Sequence, residues 1–330
     1  MSIVVKDHLF TLHTKNTSYQ LAADDHGILR HLYYGAKVEN ADFSYLVQQR
    51  DRGFSGNPDD AGDDRTLSFD TLPLEYPVLG CGDYRETCLA VTHPDGSRAL
   101  DLRFEVYRVL PRKPKLAGLP ASLPDENTET LEIQLRDRVS GLCVWLSYAV
   151  FPEKDVITRS VRIENGGSLP VTLDRVLSCC LDLYQPAERD LMTFYGRHAG
   201  ERNMQRSPLQ HGKFRVESTR GASSLHYNPS AILCAHDAAE HTGEAYAVVL
   251  VYSGSFLISA EVDQIDQTRL VAGIQPEGFS WQLCPGEVFT APEVLLSYSA
   301  AGLGQLSRQL HSFLNKHIIH GVWAKRRRPV

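Results

Sequence analysis

The chain has 330 residues, of which 42% are hydrophobic and 22% charged, and its net charge is −6. A chain near this size buries about three quarters of its unfolded surface, so a large core is available. The mildly acidic balance argues against a nucleic-acid binder, which needs a basic face, and no run approaches the roughly 18 apolar residues of a membrane helix.

The N-terminus, MSIVVKDHLFTLH, has no basic segment ahead of a long apolar run, so no secretory signal is expected there. SYQLAADDHGILRHLYYGAKV reads as two strands around residues 24–27. Tyr19, Leu21 and Ala23 alternate on the first strand, and Leu29, His31 and Tyr33 on the second. Residues 50–77, RDRGFSGNPDDAGDDRTLSFDTLPLEYP, form a long polar loop running into a short apolar segment. A loop of this length is uncommon in a compact domain unless it has a function or is disordered.

CLAVTHPDGSRALDLRFEVYRVL reads as a hairpin with Pro94, Asp95 and Gly96 at its turn. TLEIQLRDRVSGLCVWLSYAVF repeats the plan, turning near Ser140 and Gly141. VITRSVRIENGGSLPVTLDRVLSCCLDL turns at Asn165 to Gly167, and AYAVVLVYSGSFLISAEVDQ at Ser253 and Gly254. RLVAGIQP and FSWQLCPGEVFTAPEVLLSYS close the series. Strands in this number joined by short turns predict a mainly β fold, a large antiparallel β-sandwich over residues 1–300. The pattern changes at Gly302, where Leu303, Leu306, Leu310, Phe313, Leu314 and Ile318 fall at helical spacing. Residues 301–330 therefore read as an amphipathic helix leading into a linker.

Motifs for common chemistry are missing. There is no GxSxG elbow, phosphate loop, GxGxxG turn or HExxH pair. His8 and His13, and His26 and His31, are pairs five apart on strand-like segments and so face opposite sides. Asp59, Asp60, Asp63 and Asp64 are crowded but do not follow the alternating ligand pattern of a calcium loop. No metal or cofactor is expected. Seven cysteines, none at metal-ligand spacing, read as reduced thiols of a cytoplasmic protein, most of them buried. Glycosidase chemistry needs two carboxyl groups flanking a sugar, and spacing on a β scaffold does not select a pair. The loop suits sugar hydroxyls through its Asp and Arg side chains, with Phe54 as an apolar ring face. By itself it reads rather as a solvated surface loop, and Arg65 pairs with a neighbouring Asp or reaches a ligand.

Several segments together resemble one family. They include DRTLSFDTLPLEYP (64–77), GDYR (82–85), LAGLPAS (116–122), VITRSVRIEN (156–165), HAGERN (198–203), TRGASSLHYNP (219–229), VYSGSFLISAEVDQ (251–264) and PGEVFTAPEVLLSYS (285–299). In order and spacing the chain is similar to the N-terminal part of the glycoside hydrolase family 36 α-galactosidases. It departs at Ser230, where the family often has an aromatic residue, and at residues 198–203, which are usually tryptophan-rich. The resemblance implies a β-supersandwich that precedes a (β/α)8 barrel. It places both catalytic Asp residues in that barrel, so no catalytic residue is expected in this chain. It implies retaining hydrolysis of α-galactosides of the melibiose and raffinose type by the complete enzyme, without a cofactor. It also implies a tetramer in which the loop at residues 50–65 reaches a neighbour's active-site mouth, making Asp51, Phe54 and Arg65 substrate contacts in trans. The rival readings are a stand-alone galactoside-binding module and a purely structural docking domain.

Overall fold

The computed structural model describes residues 2–52, 56–184, 187–223 and 225–327. The strands, in chain order, are β1 (Ile3–Lys6), β2 (Leu9–His13), β3 (Thr17–Ala23), β4 (Leu29–Ala36), β5 (Leu89–Thr92), β6 (Leu102–Leu110), β7 (Glu129–Asp137), β8 (Leu142–Phe151), β9 (Val156–Asn165), β10 (Val171–Leu183), β11 (Arg189–Arg197), β12 (Gly200–Pro208), β13 (Gly212–Ser218), β14 (Tyr227–Ala235), β15 (Ala245–Val251), β16 (Phe256–Val262), β17 (Thr268–Ile274), β18 (Trp281–Leu283), β19 (Val288–Thr290) and β20 (Glu293–Ser299). Among the described residues they build three sheets with antiparallel strand pairing. The first is β1-β2-β3-β4. The second is β13-β16-β17-β10-β18, with β5 also on β10. The third is β12-β11-β14-β15-β20-β9-β8-β7-β6, with β19 on β9.

The alternation in the sequence is the alternation of burial. On β8, Leu142, Val144, Leu146, Tyr148 and Val150 all point into one apolar cluster. That cluster continues through Leu173 and Leu181 of β10, Ile258 of β16 and Leu12 and Leu21 of the first sheet, so one core joins all three sheets. The mainly β antiparallel reading therefore holds.

The pairing of strands does not follow the turns in the way that the sequence reading expects. The turn at residues 93–97 forms, with the Ser97 carbonyl accepting from His93 N at 2.9 Å. Yet β5 pairs with β10 in the second sheet and β6 with β7 in the third, so the expected hairpin is a crossing between layers. The turns at residues 165–167 and 253–254 also pass from the third sheet to the second. By contrast β7 and β8 form a true hairpin, with Gly141 at φ 76° in its turn, a value open to glycine at no steric cost. Period-two alternation marks a strand with one buried face, and short turns serve either route.

A second departure lies in the β3–β4 hairpin. A bulge at Gln20/Leu21 pairs Gln20 with Tyr33 and Leu21 with His31. The extra residue shifts the alternation, so Tyr34 enters the core and Tyr33 is only half-buried, donating its hydroxyl to the Ala36 carbonyl at 2.7 Å.

The helical reading holds as α1 (Gly302–Phe313), continued by a π turn over Leu314–Ile318. A further short helix, α2 (Val322–Lys325), follows. Leu306 packs among Met192, Cys234, Ala245 and Ala247, side chains that alternate with the core-facing Leu191, Leu233, Tyr246 and Val248. The helix therefore lies on the outer face of the third sheet, with Phe313 edge-on to Phe151 at 4.9 Å. All seven cysteines are free thiols and five are buried.

Candidate functional site

The loop after β4 is held at both of its ends. Leu67, Phe69, Leu72 and Leu74 pack on Ile28, Leu32 and Val47 in a separate small core. That burial anchors the chain as it leaves the loop. The neck closes where Arg52 N donates to the Arg65 carbonyl at 3.0 Å. The Arg52 guanidinium donates to Asp70 at 3.1 Å, and Gln264, from the β16–β17 turn, donates to the same carboxylate oxygen at 3.2 Å.

Across this neck Arg65 Nε meets Asp51 Oδ1 at 3.0 Å, with each side chain 62% exposed. The structure thus brings two of the three expected sugar-contacting residues into one ion pair on the surface. Phe54, the third, lies outside the described residues.

The far side of the loop is pinned as well. Asp59–Ala61 makes one 3-10 turn, and Arg103 at the start of β6 reaches both oxygens of Asp60 at 3.3 Å. Arg103 also donates to Asp101 at 2.7 Å and to the His26 carbonyl at 2.8 Å, with its guanidinium 5.7 Å from the Phe69 ring centre. A cavity of about 450 Å³ opens here, lined by His26, Asn57, Asp59, Asp60, Arg103 and Arg138 among others. Asp64 turns back to accept from the Thr66 hydroxyl and amide, bonds that hold its carboxyl below the ordinary range. Among the described residues no three His, Cys, Asp or Glu side chains converge as a metal-holding group.

Beneath the loop the chain buries a set of charges that the sequence reading missed. Arg85 donates to the Phe69 and Leu72 carbonyls at 2.8 and 2.7 Å, tying the loop exit to the sheets. Its guanidinium also meets Asp83 at 2.9 Å, and Arg269 bridges Asp83 and Asp182 at 2.8 and 2.7 Å. Glu75 accepts from Tyr19 and Tyr148 at 2.7 and 2.8 Å and pairs with Arg159 at 2.9 Å, with His31 Nδ1 at 3.3 Å. Burial pushes the Glu75 and Asp182 carboxyls up. Arg159 and His31 in the one case, and Arg269 and Arg85 in the other, more than offset it and leave both below the ordinary range. Removing one partner from such a pair strands an uncompensated charge, which is why these groups are tied to the fold. A signal for two of the arginines was present: Asp83 and Arg85, like Asp101 and Arg103, are two residues apart, and in extended chain such positions share a face. Asp70 and Gln264 carried none, being 194 residues apart.

A family model described as the glycosyl hydrolase family 36 N-terminal domain matches residues 27–284, and one described as melibiase matches residues 288–330. The chain belongs to glycosyl hydrolase family 36. Within family 36 it is similar to the bifunctional α-galactosidase/sucrose kinase AgaSK of Mediterraneibacter gnavus, at 48% identity over 98% of this chain and 34% of the relative. The solved galactosidase domain of AgaSK superposes with a TM-score of 0.96 at 46% identity, covering 99% of this chain and 46% of that one. The structure of the family 36 α-galactosidase AgaA from Geobacillus stearothermophilus in complex with stachyose superposes with a TM-score of 0.94 at 40% identity, covering 98% of this chain and 45% of that one. The chain spans less than half the length of the curated relatives it matches. The segments that carry the family resemblance also carry the buried charges: Glu75, Asp83, Arg85 and Arg159 all lie within them.

Proposed function

We propose that this chain is the non-catalytic sandwich of an α-galactosidase, supporting subunit assembly and forming one lip of the substrate pocket. Hydrolysis of terminal α-galactosyl residues, with retention through a glycosyl-enzyme intermediate, then takes place on carboxylates outside these strands. The observation that carries the reading is the Asp51–Arg65 pair set on a neck fixed by Arg52, Asp70 and Gln264. A carboxylate beside a guanidinium presents adjacent acceptors and donors to sugar hydroxyls. A fixed neck reduces the entropy cost of ordering the loop around a ligand. Phe54 belongs to the same proposal as the apolar ring.

The loop's position favours contact in trans. Its pin, Arg103, pairs in register with Arg136 at the end of the third sheet where β7 turns into β8. The helix α1 rests against Phe151 and Val156, at the other end of β8 and β9. Ten residues of β8 separate the two ends, about 30 Å of extended chain. A barrel joined beyond α1 would begin about 30 Å from its own loop, which supports the reading that the loop serves a neighbouring subunit. The buried acids favour the same division of labour, because Glu75, Asp83 and Asp182 are engaged by arginine and tyrosine donors inside the fold. The likeness to AgaA, whose structures hold stachyose and raffinose, points to galactosides of the raffinose and melibiose type.

Two measurements test this. The purified chain should give no turnover of an aryl α-galactoside above buffer. In the complete enzyme Arg65→Ala should raise KM for raffinose by about tenfold, and mixed oligomers with barrel-inactivated subunits should recover part of the activity, because some intact barrels then receive an intact loop. Turnover by the chain alone, or no recovery on mixing, counts against the reading.

A further inference from the structure

The second and third sheets end in edge strands β13 and β12, and near this margin the inner face of the third sheet changes character. On β11, Asp190 and Met192 face outward, to Arg206 and to the cluster that packs on α1. Leu191, Thr193 and Tyr195 therefore face inward. Leu191 stands opposite Ser207, Thr193 opposite Gln205, and Tyr195 opposite both Asn203 and Tyr227. On β8 the inward positions are Leu, Val, Leu, Tyr and Val, all buried in the core. Here they pass from Leu through Thr to Tyr, with serine and glutamine alongside.

Between these strands and β13 lies a cavity of about 330 Å³. Leu191 and Val216 are its buried floor, and Tyr195 and Tyr227, each 44% exposed, stand in its wall. The two tyrosines sit on neighbouring strands, paired just past a bulge, and both line the same cavity. Thr193, Gln205 and Ser207 supply neutral donors and acceptors beside them.

We propose that this groove is a second ligand site, and that its ligand is a neutral saccharide. Aromatic rings cover the apolar C–H face of a pyranose, while hydroxyl and amide side chains bond its hydroxyls. The volume lies near the lower bound for small-molecule pockets and suits one or two sugar rings. The charge pattern weighs against an anionic ligand. Among the described residues Arg215 is the one charged residue lining the cavity, and its Nη2 already donates to both oxygens of Glu86, at 3.0 and 3.4 Å. A carboxylate or phosphate on this guanidinium would be repelled by that buried acid. The groove shares no lining residue with the cavity beside the Asp60 loop, so this inference stands apart from the loop's proposed role.

Ligand-observed NMR titration of the purified chain with stachyose, and separately with maltotetraose, tests it. Saturable binding of at least one probe is expected, with Kd in the millimolar range. Tyr195→Ala and Tyr227→Ala should each weaken it by about tenfold or more, and Tyr195→Phe, which keeps the ring, should retain it. Circular dichroism and urea midpoints certify that each variant is folded. Gln205→Ala, at an exposed edge, replaces any variant that is not, and should also weaken binding. Three results would overturn the proposal: no saturable binding of either probe; binding abolished by Arg65→Ala but kept by both tyrosine variants, which would move the sugar to the loop; or sedimentation showing that Tyr195→Ala dissociates an oligomer, which would make a second copy the occupant.

Discussion

Glu86 illustrates how single residues in this protein are set by distant neighbours. Its carboxylate is 2% exposed and meets Arg175, Lys213 and Arg215 at 2.5, 3.0 and 3.0 Å. Burial pushes its pKa up, but the three cations outweigh burial and bring it from 4.5 down to about 2. A carboxyl whose folded pKa lies below its unfolded one binds more protons when unfolded, so its stabilising contribution is complete above about 4.5 and is lost as pH falls toward about 2. Neighbouring Glu261, raised by burial, acts in the opposite sense and partly offsets the loss. Urea midpoints measured from pH 6 to pH 2 should therefore fall less steeply in Glu86→Gln than in the parent chain. Equal acid limbs would show that the cluster carries no linkage. Salt should narrow the difference, because Lys213 and Arg215 are 36% and 43% exposed. None of this was legible in the sequence: Arg175 and Arg215 lie 89 and 129 residues from Glu86.

At the scale of elements, local pattern identified strands and the helix but not their partners. The β7–β8 turn and the β5–β6 turn carry similar signals, a glycine among polar residues between alternating runs. One joins neighbours in a sheet and the other crosses between layers. The difference arises because β5 is captured by β10, a contact that no local rule encodes. The start of α1 was legible as a change of period at Gly302, and the structure adds a reason for glycine there. Gly302 has φ +82°, and a Cβ on it would lie 2.5 Å from Thr242 N and 2.6 Å from the Ala239 carbonyl. Helix propensity alone favours alanine. We expect Gly302→Ala instead to destabilise the chain by about 2 kcal/mol or more, through left-handed strain plus the clash. A urea midpoint equal to or above the parent's would contradict that.

For the whole molecule, the placement of the loop matters more than its composition. Four aspartates and an arginine between residues 59 and 65 allowed a metal loop, a solvated loop or a ligand rim. The fold distributes them: Asp60 to Arg103, Asp64 to Thr66, and Arg65 to Asp51. Asp60→Ala removes the far pin while leaving Arg103 paired with Asp101. Since Asp60 is 53% exposed, the pair is worth at most about 1 kcal/mol. Limited digestion with an Asp-directed protease should then cut residues 56–64 roughly threefold faster, with the global thermal midpoint nearly unchanged. Unaltered cleavage would mean that Arg103 does not restrain the loop. By itself the sequence determined what is local or periodic: a β-rich antiparallel chain, a terminal helix, a long acidic loop, and family motifs in a fixed order. Burial of alternate side chains makes such features readable, because each depends on residues within a few positions. Tertiary structure alone decided which layer each strand joined, which acids were neutralised inside, and where the loop stood relative to α1. Apart from the Asp83–Arg85 pair, those outcomes rest on contacts between residues many tens of positions apart, for which spacing along the chain carries no information.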